Sequence, residues 1–419
     1  MKAHIIKALE KKLRFNKIKS DESDGILTSD DEEEVSKSVI YKWYNNRYFS
    51  IKYLGRGTFC RVWLVYDIID DTFYAMKIYF PNYYEDSLHE FKMNNLVKTN
   101  NNIIKMYDNF VLDKSNIFIY ELMGLTLLDV MDLYDNLIPI KIVKKITLNI
   151  LKGLSELHSN NIIHCDLKPE NIMFKQLNPN INNILVVLKN INLKSTYEKM
   201  ILDNLPDDYN ILDKCKKKNI KRKVKTKCLS VLGNIMKSEL EQQLYYDDDV
   251  LVFDENSVCK IIDLGNSDIV GHDNIDEINI RCYRPPENIM NEFYNEKADI
   301  WALGCILYEL FANDYLFDIQ NNISDIEKNR LHLSDMFKIV GYPSKTERLN
   351  CDFFKELFDI KGNIINYHNT KTICLKESFS DIYNNEKDAI DKFIKKLLDG
   401  NVITRWSTKQ LLNDIWINS

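Results

Sequence analysis

His164-Cys165-Asp166-Leu167-Lys168-Pro169-Glu170-Asn171, followed downstream by Asp263-Leu264-Gly265, sets a base, a cation and two metal-ligand candidates at spacings suited to moving phosphate from ATP to a hydroxyl. That transfer passes through a loose, charge-dispersed transition state, so a protein must mainly hold phosphates, metal and acceptor in line. Asp166 is the candidate acceptor of the hydroxyl proton, and Lys168 would face the transferring group. Asn171 can turn back to a metal ion, and Asp263 supplies a carboxylate ligand. Magnesium favours few carboxylates plus phosphate oxygens, which one Asp and one Asn leave room for. The competing reading is a polar loop after a helix and an unrelated Asp-Leu-Gly turn; it weakens as further motifs follow in order.

Upstream, Gly55-Arg56-Gly57-Thr58-Phe59-Cys60-Arg61-Val62 follows a strand-like stretch, and its two glycines would let backbone N–H groups close over phosphates. Cys60 occupies the third glycine position, so the pattern alone also describes an ordinary hairpin turn. Ala75-Met76-Lys77-Ile78 then alternates like a strand and offers Lys77 as a phosphate-binding cation. A helix expected over Ser87 to Val97 carries Glu90 as its ion-pair partner, with Glu85 the competitor. Glu90 is preferred because Leu88, Phe91 and Leu96 suggest apolar neighbours around it.

These residues resemble the eukaryotic protein kinase family, and within it the serine/arginine-rich (SR) protein kinases of the CMGC group. The likeness runs from about Arg47 to Trp416 and includes Asp263-Leu264-Gly265-Asn266, Ile280-Arg281-Cys282-Tyr283-Arg284 before Pro286-Glu287, Asp314-Tyr315-Leu316-Phe317, and Arg405 where the family pairs a late Arg with that Glu. The resemblance implies an α+β, two-lobed fold, with a small β-rich lobe over 47–123 and a larger, mainly helical lobe over 124–419. It also implies ATP and Mg2+ as cofactors, with Leu54, Gly55, Gly57, Val62, Ala75, Lys77, Glu121 and Met123 around the nucleotide. Glu121-Leu122-Met123-Gly124 would be the hinge and Tyr120 the guard of the pocket behind it. The activity implied is transfer of the γ-phosphate to Ser/Thr hydroxyls of protein substrates, with Arg/Ser-rich proteins as the substrate class; Lys168 matches the Ser/Thr pattern.

The chain has 419 residues, 45% hydrophobic and 28% charged, enough for two cores, and its net charge of −6 argues against a dedicated nucleic-acid binder. The longest apolar stretch, Ile300 to Phe317, is interrupted by Glu309, Asn313 and Asp314 and reads as a buried helix, so no membrane partner is expected. The N-terminus lacks a signal-peptide pattern, and the nine cysteines show no Cys-x-x-Cys or zinc spacing. Reduced thiols in an intracellular setting follow as the expectation, in the cytoplasm or nucleus, of a host cell if the AT-rich codon bias implied by abundant Asn, Ile, Lys and Tyr marks a viral source. A monomer is expected.

Residues 1–46 run from a short helical pattern into Ser29-Asp30-Asp31-Glu32-Glu33-Glu34 and read as a solvated, disordered extension; a membrane-surface helix or targeting peptide is the alternative for the first part. Ile142, Ile146, Ile150, Leu154 and Leu157 fall on one face of a helix over Ile140 to Asn160, which delivers the catalytic loop. His164 reads as a core histidine bracing that loop, and Asp299 as an anchor of its backbone. An insert over about 176–254 carries Lys214-Cys215-Lys216-Lys217-Lys218 and Lys221-Arg222-Lys223, either an addressing signal or a mobile charge run. Its apolar piece Ile184 to Leu188 suggests partial packing on the catalytic lobe.

Cys165 stands where many kinases have an Arg that clasps a phosphorylated activation segment, and Ser267 and Tyr283 are the only hydroxyls between Asp263 and Glu287, so a constitutively competent enzyme is expected. Asp268, Asp273, Asp276 and Glu277 would attract an Arg-rich peptide, with Arg281 and Arg284 steering phosphate; Asp318, Asp325 and Glu327 are accompanied by Lys328 and Arg330, which weakens long-range docking. Two other classes stand beside the active kinase: a pseudokinase scaffold, suggested by Cys60 and Cys165, and a localisation module acting through the basic insert.

Overall fold

The computed structural model describes residues 39–97, 101–135, 137–242, 253–254, 256–271, 277–319, 322–341, 353–367 and 373–419. In chain order the first elements are β1 (Trp43–Tyr44), β2 (Tyr48–Arg56), β3 (Cys60–Asp67), β4 (Thr72–Tyr79), α1 (Tyr84–Leu96), β5 (Met106–Leu112) and β6 (Ser115–Glu121). There follow α2 (Leu127–Leu133), α3 (Ile140–Ser159), β7 (Ile162–Ile163), β8 (Ile172–Phe174), α4 (Pro179–Asn190), α5 (Leu193–Asp203) and α6 (Lys214–Gln242). The last part holds β9 (Cys259–Ile261), β10 (Asp268–Ile269), α7 (Pro286–Ile289), α8 (Lys297–Ala312), α9 (Asp325–Val340), α10 (Phe354–Leu357), α11 (Lys387–Leu397), α12 (Thr408–Leu412) and α13 (Ile415–Asn418). The α+β class expected from the sequence is what the chain adopts, as a sheet-rich unit and a mainly helical one. The first unit comprises the chain up to Ser87, Lys105–Gly124 and Gln176–Val252; the second comprises Leu88–Ile104, Leu125–Lys175 and Phe253–Ser419.

In the sheet-rich unit six antiparallel strands run in the order β1-β2-β3-β4-β6-β5. Period-two alternation sends β3 and β4 side chains to two faces. Trp63, Val65, Tyr74, Met76, Ile117 and Ile119 form one core; Leu64, Tyr66 and Phe73 point the other way. That second face is covered by the insert, through Ile184, Leu188, Tyr197, Ile201, Leu229, Leu232 and Met236. The insert is therefore helical and packed on the small sheet, which corrects the expected packing on the catalytic lobe. The apolar piece of α4 buries Ile184, Val187 and Leu188 but exposes Val186, the pattern of one helical face. The basic run 214–223 is the start of the long helix α6.

The folded region also begins earlier than residue 47. Trp43 packs tilted against Phe49, ring centres 5.0 Å apart, and its indole N–H donates to the Leu229 carbonyl (2.7 Å), so residues 39–46 belong to the sheet unit rather than to a disordered extension. The remainder of that extension lies outside the described residues.

In the helical unit α3 buries Ile142, Ile146, Ile150, Leu154 and Leu157, and α8 is buried from Ala298 to Phe311. Among the described residues no helix is long and apolar enough to cross a membrane. Replacing Leu232, fully buried between α6 and the sheet, by Ala should lower stability by about 2–5 kcal/mol in chemical denaturation, whereas Ala at Val231, 43% exposed, should change it by no more than about 0.5 kcal/mol.

Candidate active site

The catalytic loop is built on one buried carboxylate. Asp299, fully buried on α8, accepts from the backbone N–H of His164 (2.9 Å) and of Cys165 (3.1 Å) and from the His158 ring N–H (2.9 Å). Three donors meet the charge in a dry site, where charge-assisted hydrogen bonds are strongest. They hold Cys165 at φ +63°, a left-handed conformation that costs a side-chain-bearing residue free energy unless its surroundings enforce it. The Cys165 thiol is buried, and burial with the nearby Asp299 charge pushes its pKa well up, so it is an inert packing group. His164, with no exposed surface, donates through Nε2 to the Ile262 carbonyl (3.0 Å) and accepts at Nδ1 from the Asp166 N–H (3.3 Å). Both bracing roles read from the sequence are present in these contacts.

Past this brace the loop converges on Asp166. Its Oδ2 accepts from Lys168 Nζ (2.8 Å), Asn171 Nδ2 (3.1 Å) and, more weakly, Asn266 Nδ2 (3.4 Å). Three donors fix one oxygen and leave Oδ1 as the acceptor for an incoming proton. Asn171 Nδ2 also donates to the Asp166 carbonyl (2.8 Å), so its amide nitrogen is committed and its oxygen is the atom left to coordinate. The Ile262 N–H donates to the Asn171 carbonyl (2.9 Å) and Ile172 pairs with Ile261 across β8 and β9, which sets Asp263 at the end of the strand beside Asn171. Asp263 has φ +62°. One carboxylate and one amide oxygen are hard donors that suit magnesium only when phosphate oxygens and water complete the shell. Among the described residues no group of three or more His, Cys, Asp or Glu could hold a metal ion.

Two contributors were not read from the sequence. Asn279 N–H donates to the Cys165 carbonyl (2.7 Å), and its side-chain oxygen accepts from the Leu167 N–H (3.1 Å), clamping the segment before Pro286 to the catalytic loop. His89 on α1 donates to the Ser267 carbonyl (2.7 Å), tying that helix to the segment after Asp263. A lone Asn and a lone His carry no spacing signal, so only the fold reveals them.

The remaining candidates divide between the units. Lys77 sits in β4 opposite Val62 of β3 and Phe118 of β6, its ammonium 5.1 Å from the Tyr79 ring centre. Ala75 pairs with Leu64 and with Tyr120, so Val62, Ala75 and Lys77 share the sheet face whose other end the insert covers. Leu54 stands at a bulge between Tyr53 and Gly55 and packs, with Leu122, against that same core. A side chain on Gly55 would meet nothing, and one on Gly57 would crowd Cys60 Sγ at 3.1 Å. Neither has positive φ; their use is the absence of a side chain rather than an unusual backbone. The Glu121 carboxylate accepts from the Lys105 N–H (2.8 Å), and Met123 is buried. A Cβ on Gly124 would lie 1.7 Å from the Gln176 carbonyl oxygen, so only glycine fits where the insert begins.

Glu90, in the helical unit, is 1% exposed, while Glu85 is exposed. The buried side of α1 is Ser87, Glu90 and Met93; Leu88 and Leu96 are exposed, contrary to the reasoning that favoured Glu90.

Arg284, expected to steer phosphate, is instead turned toward its own segment. It is buried, binds Glu277 at 2.8 Å and donates to the carbonyls of Ile278 and Asn279, which engages each of its three guanidinium nitrogens. Asp268 accepts from the Tyr294 hydroxyl (3.0 Å), and Asp273 and Asp276 lie outside the described residues. Asp325 and Glu327 are paired with Lys328 (3.0 Å) and Arg330 (3.1 Å). Glu287 and Arg405 form a fully buried bidentate pair at 2.8 and 2.9 Å.

Beneath this segment the Tyr283 hydroxyl donates to Glu309 Oε2 (2.6 Å). Burial, reinforced by Glu170 and Asp314, pushes the Glu309 carboxyl from 4.5 up to about 7 although the Tyr283 bond favours the charged form. Between pH 4.5 and 7 the folded chain therefore keeps a proton that the unfolded chain has lost, and stability falls as pH rises across that window. Glu309→Gln should remove this decline, worth at most about 3 kcal/mol above pH 7, in denaturation curves recorded from pH 5 to 8.

A family model described as "Protein kinase domain" matches residues 48–184 and 247–417. Protein kinase dsk1 of Schizosaccharomyces pombe is 25% identical, with 90% of this chain and 81% of that protein covered. Serine/threonine-protein kinase SRPK of Physarum polycephalum is 25% identical over 77% of this chain and 73% of its own. A crystal structure of a kinase domain matches with a TM-score of 0.61 at 20% identity, covering 91% of this chain and 99% of that one. A loop that aims a lysine and two amides at one aspartate thus sits in a chain whose relatives are serine/threonine kinases, and the chain belongs to the protein kinase family.

Proposed function

We propose that this serine/threonine protein kinase is catalytically active with ATP and Mg2+ and prefers serines flanked by arginine. Protein kinases generally use this nucleotide and metal, and the observation that carries the active reading is the convergence on Asp166. Asp166 Oδ1 takes the hydroxyl proton, and Lys168, held at 2.8 Å from Oδ2, places positive charge beside the transferring group. Asn171 and Asp263 would hold the metal and Lys77 would hold phosphates. Magnesium, when bound, neutralises charge on the phosphate oxygens. Cys60 and Cys165, the two residues that suggested a scaffold, are both buried packing groups and take no part in this chemistry.

Support for a cationic substrate lies around Cys282 and Tyr283. Burial first, then Glu309 and more weakly Glu170 and Asp318, push the Cys282 thiol up to about 12, so several acids lie near this segment. Glu170 and Asp318 are exposed and can meet a peptide. The likeness to the SR protein kinases and the names of the relatives agree with this preference. An intracellular location, cytoplasmic or nuclear, is part of the proposal, and it suits thiols such as Cys259 and Cys305 that stay buried and unpaired.

With radiolabelled ATP the purified chain should phosphorylate an Arg-Ser peptide faster than Pro-directed or acidic ones; equal rates would reject the substrate class. Asp166→Asn should lower kcat by about 10²- to 10⁴-fold while nucleotide affinity stays unchanged. Ser267 and Tyr283 are 2% and 3% exposed, so phosphatase treatment should leave the rate unaltered, measured in the same assay.

A further inference from the structure

Helix α6 carries Lys218, Lys221, Arg222 and Lys225 at spacings of three and four, which places four cations on one face within about 10 Å along the axis. They line an open pocket of about 350 Å³ together with Asn46, Ile68, Tyr197 and Leu229. No carboxylate lines it, and among the described residues none forms an ion pair with these four cations. The nearest acids in sequence to its strand wall, Asp67 and Asp70, are held by Arg47 at 2.7 and 2.8 Å. Lys194 adds a fifth charge at the rim, its ammonium donating to the Ile69 carbonyl (2.7 Å).

This arrangement costs stability in the free protein. Like charges three and four apart on a helix repel, and no carboxylate among the pocket's lining residues offsets that repulsion. Ile68, Tyr197 and Leu229 are buried, so the charges ring a firm apolar floor instead of lying along a flat, extended stripe. A concavity of this size fits a small molecule rather than a polymer.

We propose that the pocket between α5, α6 and the turn after β3 binds a compact, multiply phosphorylated small molecule. Two or more phosphates satisfy the four cations at once, and the Asn46 amide is available as a further donor. The site lies wholly within the sheet-rich unit and is chemically distinct from the loop around Asp166.

Calorimetric titration of the full chain with inositol hexakisphosphate, with a non-hydrolysable ATP analogue saturating the nucleotide site, tests this. A single saturable event is expected. The variant Lys218→Gln/Lys221→Gln/Arg222→Gln/Lys225→Gln should bind about 10- to 100-fold more weakly, whereas Lys223→Gln/Lys227→Gln, which lie on α6 but do not line the pocket, should bind as the parent does. The fourfold variant should also melt no lower than the parent without ligand, because repulsion is relieved. Absence of saturable binding, equal weakening in both variants, a lowered melting temperature, or tighter pocket-dependent binding of single-stranded RNA or an acidic peptide would each overturn the assignment.

Discussion

The carboxylate of Asp299 is the constraint on which the catalytic geometry depends. It is ionic and buried, and it is tolerable there because two consecutive backbone N–H groups and an imidazole point at it. Those same bonds pin the backbone of His164 and Cys165, and the left-handed turn at Cys165 swings the following residues into place. Asp166, Lys168 and Asn171 then have little freedom, so their mutual hydrogen bonds form without further ordering. Asn279 secures the loop from the opposite side through one donor and one acceptor, and the bidentate pair of Glu287 and Arg405 fixes the chain a few residues beyond. The site is a stack of such anchors, each satisfied before the next is added.

Much of this was legible because phosphoryl transfer demands particular residue types at short spacings. Asp166, Lys168 and Asn171 lie within six positions, so their convergence follows from local geometry. Asp263, almost a hundred residues on, was placed by its motif, and the short pairing of β8 with β9 explains how it arrives there. Illegible were residues that act singly. Asn279 and His89 hold no motif, and Arg284 read as a phosphate-steering group because sequence does not reveal that Glu277 and two carbonyls already occupy it. The burial of Glu90 was anticipated for the wrong reason: α1 turns Glu90 and Met93 inward and leaves Leu88 and Leu96 in water. Apolar neighbours in sequence are not apolar neighbours in space when a helix period separates them.

The insert shows the same limit on a larger scale. Its composition, rich in Lys, Asn and Asp, suggested a solvated run, since charge density outweighs the apolar residues when they are counted rather than phased. Phased at the helical period, Cys228, Leu229, Leu232 and Met236 form one stripe on α6, and that stripe meets Phe49, Leu64, Tyr66 and Phe73 of the sheet. The covered face is the one that carries Val62, Ala75 and Lys77 toward its other end, and Leu54 and Leu122 join both regions. The insert thus supports the face of the sheet that carries Lys77. The cations Lys218, Arg222 and Lys225 continue that same face of α6 toward its start, where they line the pocket with Leu229.

Gly124, pressed against the Gln176 carbonyl, marks where this late segment rejoins the early one, and its position has a kinetic corollary during synthesis. A ribosome delivers β2 to β4 long before α6, so the Leu64–Tyr66–Phe73 surface waits without its natural cover while the intervening chain is made, roughly 10–40 s at ordinary elongation rates. During that interval the nascent sheet offers a greasy face to whatever is nearby.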